Sequence, residues 1–188
     1  TVALPRKKNV QERILADHAE VLKAITEITD VEFLPRDGGE FFMQAPDPFT
    51  RETGRLAYER LVKSGKVSVE SATKAAKKAI VDLDKIANDA GIRAARILKL
   101  KGVNQEILYL VGKLLYRTSY TQNQWQHAIE TAHLCGMMAE QMNLDIRTAQ
   151  RAGLLHDIGK VLWAETEAVG SHAVSGATFA AAHGELPE

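Results

Sequence analysis

The spacing of apolar residues changes character near residue 65. Upstream of it, two periods alternate. Val21, Leu22, Ile25 and Ile28 recur at helical intervals and predict a helix over 19–28. Residues 30–34 and 40–44 read as short strands. Between them, Pro35-Arg36-Asp37-Gly38-Gly39 reads as a turn, because proline fixes φ and glycine tolerates positive φ. Asp47-Pro48 opens a second helix, in which Leu56, Ala57, Arg60 and Leu61 keep helical spacing. Ser64-Gly65 closes it, glycine being suited to the left-handed position after a helix. With residues 1–4 as an opening strand, this part of the chain is expected to be a small α+β unit.

From Lys66 onward the pattern is helical almost throughout. Ser68 or Ser71 is placed to cap a long helix reaching about residue 89, with a bend expected at Ala90-Gly91. Further helices are predicted over 92–100, 105–116, 122–141, 146–155 and 170–183. Asn143-Leu144-Asp145 makes a tight connection, with Asp145 as N-cap. The expected fold is mainly α. A small α+β domain occupies 1–65, a basic helical connector 66–104 and an all-α domain 105–188.

Composition adds bounds more than identity. The chain has 188 residues, 45% hydrophobic and 26% charged, which describes an ordinary globular protein of one or two domains. Its 24 basic and 24 acidic residues cancel, so net charge argues neither for nor against nucleic acid. Their distribution is uneven: residues 66–104 carry 9 basic and 4 acidic side chains, residues 105–188 carry 5 and 9. Lys74, Lys77, Lys78 and Lys85 share a broad face of the predicted long helix, across from Ile80 and Leu83. Such a row can follow a phosphate backbone, or it can be a solvated face with no interleaved aromatic to stack a base. Cys135 is the sole cysteine, so no disulfide forms within the chain, and its apolar surroundings predict a buried thiol in a reducing compartment. No apolar run long enough to span a membrane and no secretory signal is evident. The reading is a cytoplasmic chain without membrane contact of its own.

The candidate chemistry is concentrated in Arg151-Ala152-Gly153-Leu154-Leu155-His156-Asp157-Ile158-Gly159-Lys160. An imidazole and a carboxylate stand side by side at the end of an apolar helix. Both suit a divalent ion, but one pair cannot hold it, and His127 is the first candidate partner. His133 lies six residues further on, roughly 240° around an ideal helix, so both cannot face one ion. An interior, hydrogen-bonded role is expected for His133 and a structural or exposed one for His183. Arg117, Ser119 and Tyr120 either line the site or hold its helices.

These elements together resemble a known family. Tyr116-Arg117-Thr118-Ser119-Tyr120-Thr121-Gln122-Asn123, then His127, Glu130 and Ala132-His133-Leu134, then the His156-Asp157 stretch and Gly170-Ser171-His172, resemble the HD domain of bacterial ribonuclease Y. The resemblance implies a metal-dependent phosphodiesterase cutting single-stranded RNA in mRNA turnover. His127, His156 and Asp157 would be metal ligands, His172 a further ligand in a two-metal site, and Lys160 would assist Asp157 at the phosphate. The implied cofactor is a divalent metal, Mg or Mn first, with Fe, Ni or Zn accepted by an imidazole-rich site. A homodimer is implied as well. The family's membrane helix and coiled coil, and its last ligand (an Asp beyond a His-His helix), have no counterpart in residues 1–188, so a partial ligand set is expected here.

The resemblance continues upstream. Arg13-Ile14-Leu15, Val21-Leu22-Lys23-Ala24, Thr29-Asp30-Val31 and the helix of 47–65 resemble the KH domain of the same family. A KH domain passes the RNA backbone over a Gly-x-x-Gly loop. Here the matching residues are Ala16-Asp17-His18-Ala19, where added methyl groups and an acidic side chain weaken a phosphate grip. The unit is expected to have degraded RNA binding and to serve packing or dimer formation. Two alternatives stay open: an HD-type phosphohydrolase of nucleotides, and a non-catalytic RNA-binding or dimerising scaffold.

Overall fold

A computed structural model describes residues 19–36, 40–162 and 171–186. Its helices and strands fall into two compact units, residues 1–83 and 84–188, whose boundary lies inside one long helix. The opening strand expected over 1–4, the loop residues 16–18 and the turn residues 37–39 lie outside the described residues, as does Gly170. Among the described residues no helix is long and apolar enough to cross a membrane.

In the first unit, helix α1 (Ala19–Thr29) is followed by an antiparallel hairpin of β1 (Glu32–Arg36) and β2 (Glu40–Gln44), in which Phe33 pairs with Met43. Helix α2 (Pro48–Ser64) begins where Asp47 accepts hydrogen bonds from the amides of Phe49 and Thr50, with Pro48 in the first turn. Gly65 ends it at φ 69°. Val21, Ile25, Tyr58, Leu61 and Val62 are buried together, and the rings of Phe33 and Phe41 pack on Tyr58 at 5.9 and 6.0 Å between centroids. Ser68 supplies the cap of α3 (Val69–Ile97), its hydroxyl accepting from the amide of Ser71.

The bend expected at Ala90-Gly91 is absent, and α3 runs unbroken to Ile97. Gly91 serves a crossing instead. A Cβ there would lie 1.8 Å from the carbonyl oxygen of Leu108 in α4 (Gln105–Lys113), and one at Gly112 would lie 1.7 Å from that of Ala87. Each helix thus presents a glycine to the other's backbone. No helix-stopping effect is needed to explain the residue, only the closeness of its neighbour. The ring nitrogen of Trp125 donates to the carbonyl of Ala90, and the Arg93 guanidinium stacks over the Trp125 ring at 4.5 Å.

The helix predicted over 105–116 ends early. After Lys113 the chain tightens into a 3-10 turn (Leu114–Tyr116) and then forms a minimal hairpin, β3 (Thr118–Ser119) with β4 (Gln122–Asn123). The region 105–188 is therefore not purely α. Tyr120 and Thr121 turn the hairpin at φ 49° and 66°. Two-residue turns of this hand ordinarily recruit Asn-Gly, so the sequence carried no turn signal here. Helix α5 (Gln124–Gln141) starts two residues later than predicted, capped by Asn123.

Helix α6 (Ile146–Leu155), capped by Asp145 through the amide of Thr148, packs along α5 with Gly153 against the backbone of Ala132. A 3-10 turn (Ile158–Val161) follows, and α7 (His172–Ala182) crosses it where Gly159 faces the carbonyl of His172 and the amide of Gly176. Leu98, Ile107, Val111, Leu114, Ala128, Leu154 and Ile158 form the core of this unit. Arg151 ties its ends together, donating to the carbonyls of Lys101 and Gly102 and pairing with Glu185. Cys135, expected to be buried, is half-exposed, because it lies at the edge of the α5–α6 contact rather than inside it.

Candidate metal centre

Two buried apolar anchors fix the centre. Leu154 and Ile158 point into the core four residues apart, which holds the intervening end of α6 rigid and turns His156 and Asp157 toward α5. Asp157 sits at φ −116°, ψ 8°, the sparsely used bridge region where the helix gives way to the 3-10 turn. Its side chain is buried, with 4% of its surface exposed, whereas the three surrounding imidazoles reach solvent. The charge lies at the base and the rings form the rim.

His127 Nε2 is 3.8 Å and His156 Nε2 is 3.1 Å from Asp157 Oδ2. One donor atom from each of the three residues falls within 4.8 Å of the others. The rings of His127 and His156 meet edge to face at 5.2 Å between centroids. His156 Nδ1 is 2.8 Å from the carbonyl oxygen of Gly153, which can only accept, so Nδ1 carries a proton and Nε2 is the ring atom turned toward the cluster. Two imidazoles and one carboxylate, open on the solvent side, form a donor set that fits a divalent transition ion with positions left for water or substrate. His172 approaches from the other side, its Nε2 3.3 Å from Asp157 Oδ1. It therefore addresses the second carboxylate oxygen and stands outside the three-residue cluster.

Lys160 enters from the 3-10 turn, with Nζ 2.6 Å from Asp157 Oδ2 and 2.7 Å from Gln124 Oε1. Burial pushes the Asp157 carboxyl up and is the largest single influence. The Lys160 hydrogen bond and the charges of His156, Lys160 and His172 together outweigh it and hold the carboxyl below its ordinary value. A carboxyl depressed in the folded state contributes stability above its unfolded value, lost as pH falls through the lower folded value. In metal-free protein, the acid limb of a stability–pH curve measured by urea melts is expected to be shallower for Asp157→Asn than for wild type. Equal limbs would show that Asp157 is not held in its charged form.

Gln124 escaped sequence reasoning. It is buried, 2% exposed, and lies one helical turn before His127 on α5. A polar residue three positions from a candidate ligand was the only available signal. The carbonyl of Arg117, just before the hairpin, accepts from the Gln124 backbone N–H, while Tyr120 is 93% exposed at the hairpin tip. His133 departs from its expected interior role. It is exposed, since the buried face of α5 is already filled by Ala128, Ala132 and Gly136. His183 holds the carbonyl of Phe179 and stacks on that ring at 4.0 Å, a structural role. Lys74, Lys77, Lys78 and Lys85 are exposed along α3.

The arrangement agrees with what sequence comparison finds. A family model described as "HD domain" matches residues 125–188, the segment that contains His127, His156 and Asp157. The chain is 40% identical over 185 residues to ribonuclease Y of Syntrophotalea carbinolica, covering 98% of this chain and 35% of that protein. It is 37% identical over 188 residues to ribonuclease Y of Geobacter sulfurreducens (100% and 36%). With ribonuclease Y of Desulfotalea psychrophila it shares 38% identity over 177 residues (94% and 34%). These similarities support the ribonuclease Y family for the chain, which spans about a third of the length of those relatives. No solved structure matches it.

Proposed function

We propose that this chain carries the His-His-Asp portion of a metal-dependent phosphodiesterase centre that, within a ribonuclease Y-like protein, cuts single-stranded RNA internally during mRNA turnover. The observation that carries this reading is the convergence of His127, His156 and Asp157 donors within 4.8 Å on a domain of the HD family. A divalent ion, Mg or Mn in use, would supply charge to polarise a phosphoryl oxygen and acidify a water. The chain's own residues do the rest. His156, fixed through Gly153, and His127 offer nitrogen lone pairs, Asp157 offers the charge, and Lys160 keeps a cation at the base of the site. His172 is placed to serve as a further ligand through the second side of Asp157.

The smaller unit is read as the KH-like module of the same architecture, weakened in its phosphate grip by Ala16, Asp17 and Ala19. Self-association is read onto the exposed Leu134, Met137, Met138 and Met142 along α5 and its C-terminal end, an apolar row that water disfavours. Work on the cytoplasmic side of the cell belongs to the same reading. The departure from Gly-x-x-Gly favours one rival, hydrolysis of free nucleotides, because that needs no strand-gripping loop.

The chain incubated with Mn²⁺ and an end-labelled unstructured RNA is the test. Internal fragments, absent with Asp157→Asn, are expected. Nucleotide turnover without internal RNA cleavage would replace this reading with the nucleotide one, and neither activity would leave the scaffold. The exposed lysines are proposed to follow the RNA backbone. Changing Lys74, Lys77, Lys78 and Lys85 together to Gln should reduce the slope of log affinity against log salt by up to about 3, at roughly 0.7 per phosphate on a single strand. An unchanged slope would make the row a solvated face.

A further inference from the structure

The Lys160 ammonium has two acceptors, and only one of them belongs to the metal-binding cluster. It bridges Asp157 Oδ2 at 2.6 Å and Gln124 Oε1 at 2.7 Å, with 17% of its side chain exposed. Gln124 is itself held. Its amide nitrogen faces the carbonyls of Ser119 at 3.5 Å and Gln122 at 3.4 Å, both in the β3–β4 hairpin. Carbonyls only accept, so the NH₂ end is committed to the hairpin and the oxygen is left aimed at Lys160. A glutamine buried at the first turn of α5 loses water that its amide oxygen must replace, and Lys160 is the replacement.

We infer that Gln124 is a positioning residue of the centre: it provides the second seat on which the Lys160 ammonium stays when Asp157 Oδ2 is engaged by a divalent cation. Asp157 Oδ2 is the oxygen that faces both His127 and His156, so the same atom serves Lys160 and the ligand cluster. Like charges at one oxygen oppose each other. Without Gln124, a lysine that releases Asp157 keeps no acceptor among the described residues in a mostly buried place, and that cost falls on cation binding. With Gln124, Lys160 yields the carboxylate and remains at the base of the site. The hairpin, through the amide it fixes, thereby sets where the lysine rests.

Two readouts on the full chain test this, the second resting on the proposed metal centre and the first independent of it. In the first, metal-free protein is labelled with an acylating reagent, and the rate at each lysine is followed by mass spectrometry. Gln124→Met, similar in volume but without the amide acceptor, should raise the Lys160 rate about fivefold, while Lys74, Lys77 and Lys78 stay constant. Gln124→Glu gives up the two long contacts to the Ser119 and Gln122 carbonyls but keeps a charged acceptor at the same reach, and should leave Lys160 about as protected as in wild type. Should Gln124→Met unfold, all lysines would react faster together, and Gln124→Glu against Gln124→Val decides in its place.

In the second, Mn²⁺ binding is titrated. Gln124→Met should weaken it by about tenfold, the scale of a lost hydrogen bond to a charged group, and Gln124→Glu should match or exceed wild type. An unchanged Lys160 rate in a folded Gln124→Met protein overturns the inference, as does equal Mn²⁺ affinity in all three. A wild-type chain that binds no Mn²⁺ sinks the metal reading alone, with the labelling rates still deciding the role of Gln124.

Discussion

Asp157→Ala is expected to abolish divalent-ion binding by the chain, with Mn²⁺ affinity falling more than about 100-fold, beyond the loss seen when only a supporting partner of a ligand is removed. The size follows from the position of the carboxylate. Asp157 is the one negative charge in the cluster, its Oδ2 faces the His127 and His156 imidazoles, and Oδ1 faces His172. The substitution also leaves Lys160 with Gln124 as its remaining partner, so the melting temperature should fall. Asp157→Asn separates the two effects. It retains an oxygen for Lys160 and the shape of the side chain, so it should lose metal with less loss of stability. Titration calorimetry with Mn²⁺ and thermal melts of the metal-free proteins measure both, and an Asp157→Ala protein binding Mn²⁺ like wild type would contradict the account.

The second large effect lies in the scaffold. Gly112→Ala is expected to destabilise the chain by about 3 kcal/mol, the upper part of the range for overpacking, which lowers Tm by roughly 6–12 °C for a protein of this size. The added methyl would meet the carbonyl oxygen of Ala87 at 1.7 Å, and backbone cannot rotate away as a side chain can. The helices α3 and α4 would have to part, opening the core around Ala94, Ile107 and Val111. Gly91→Ala should behave alike, against Leu108 at 1.8 Å. Gly102→Ala is the control: nothing lies within 4 Å of its Cβ position, so only the strain of φ 68° acts, worth about 1 kcal/mol. Equal Tm losses at Gly112 and Gly102 would show that close approach is not what Gly112 serves.

Much of the helical organisation was legible because its signals are local. Asp47-Pro48, Gly65, Ser68 and Asp145 mark helix ends by chemistry contained in one turn, and each stands where it was expected. Gly91 was misread because a glycine inside a helix gives the same local signal whether it bends the helix or admits a neighbour. Which one holds depends on Leu108, distant in sequence. The β3–β4 hairpin was invisible for a related reason: Tyr120 and Thr121 adopt positive φ without the residues that favour it. Of the centre, residue type pointed to His156-Asp157 with His127 as first candidate partner, and the resemblance to ribonuclease Y implied all three as ligands. Gln124 could not, since a buried amide is recognised by the lysine it holds and not by its own neighbours. His133 shows the converse. An interior role was expected for it, but the buried face of α5 is filled by Ala128, Ile129, Ala132, Gly136 and Ala139.

The central claim is that His127, His156 and Asp157 share one divalent ion. Anomalous diffraction from crystals of the chain soaked in Mn²⁺, with data collected where manganese scatters anomalously, tests it most directly. A single strong difference peak bonded to His127 Nε2, His156 Nε2 and the Asp157 carboxylate is the predicted result. A saturating soak that leaves these three side chains without a peak, or a peak bonded elsewhere on the chain, would contradict it.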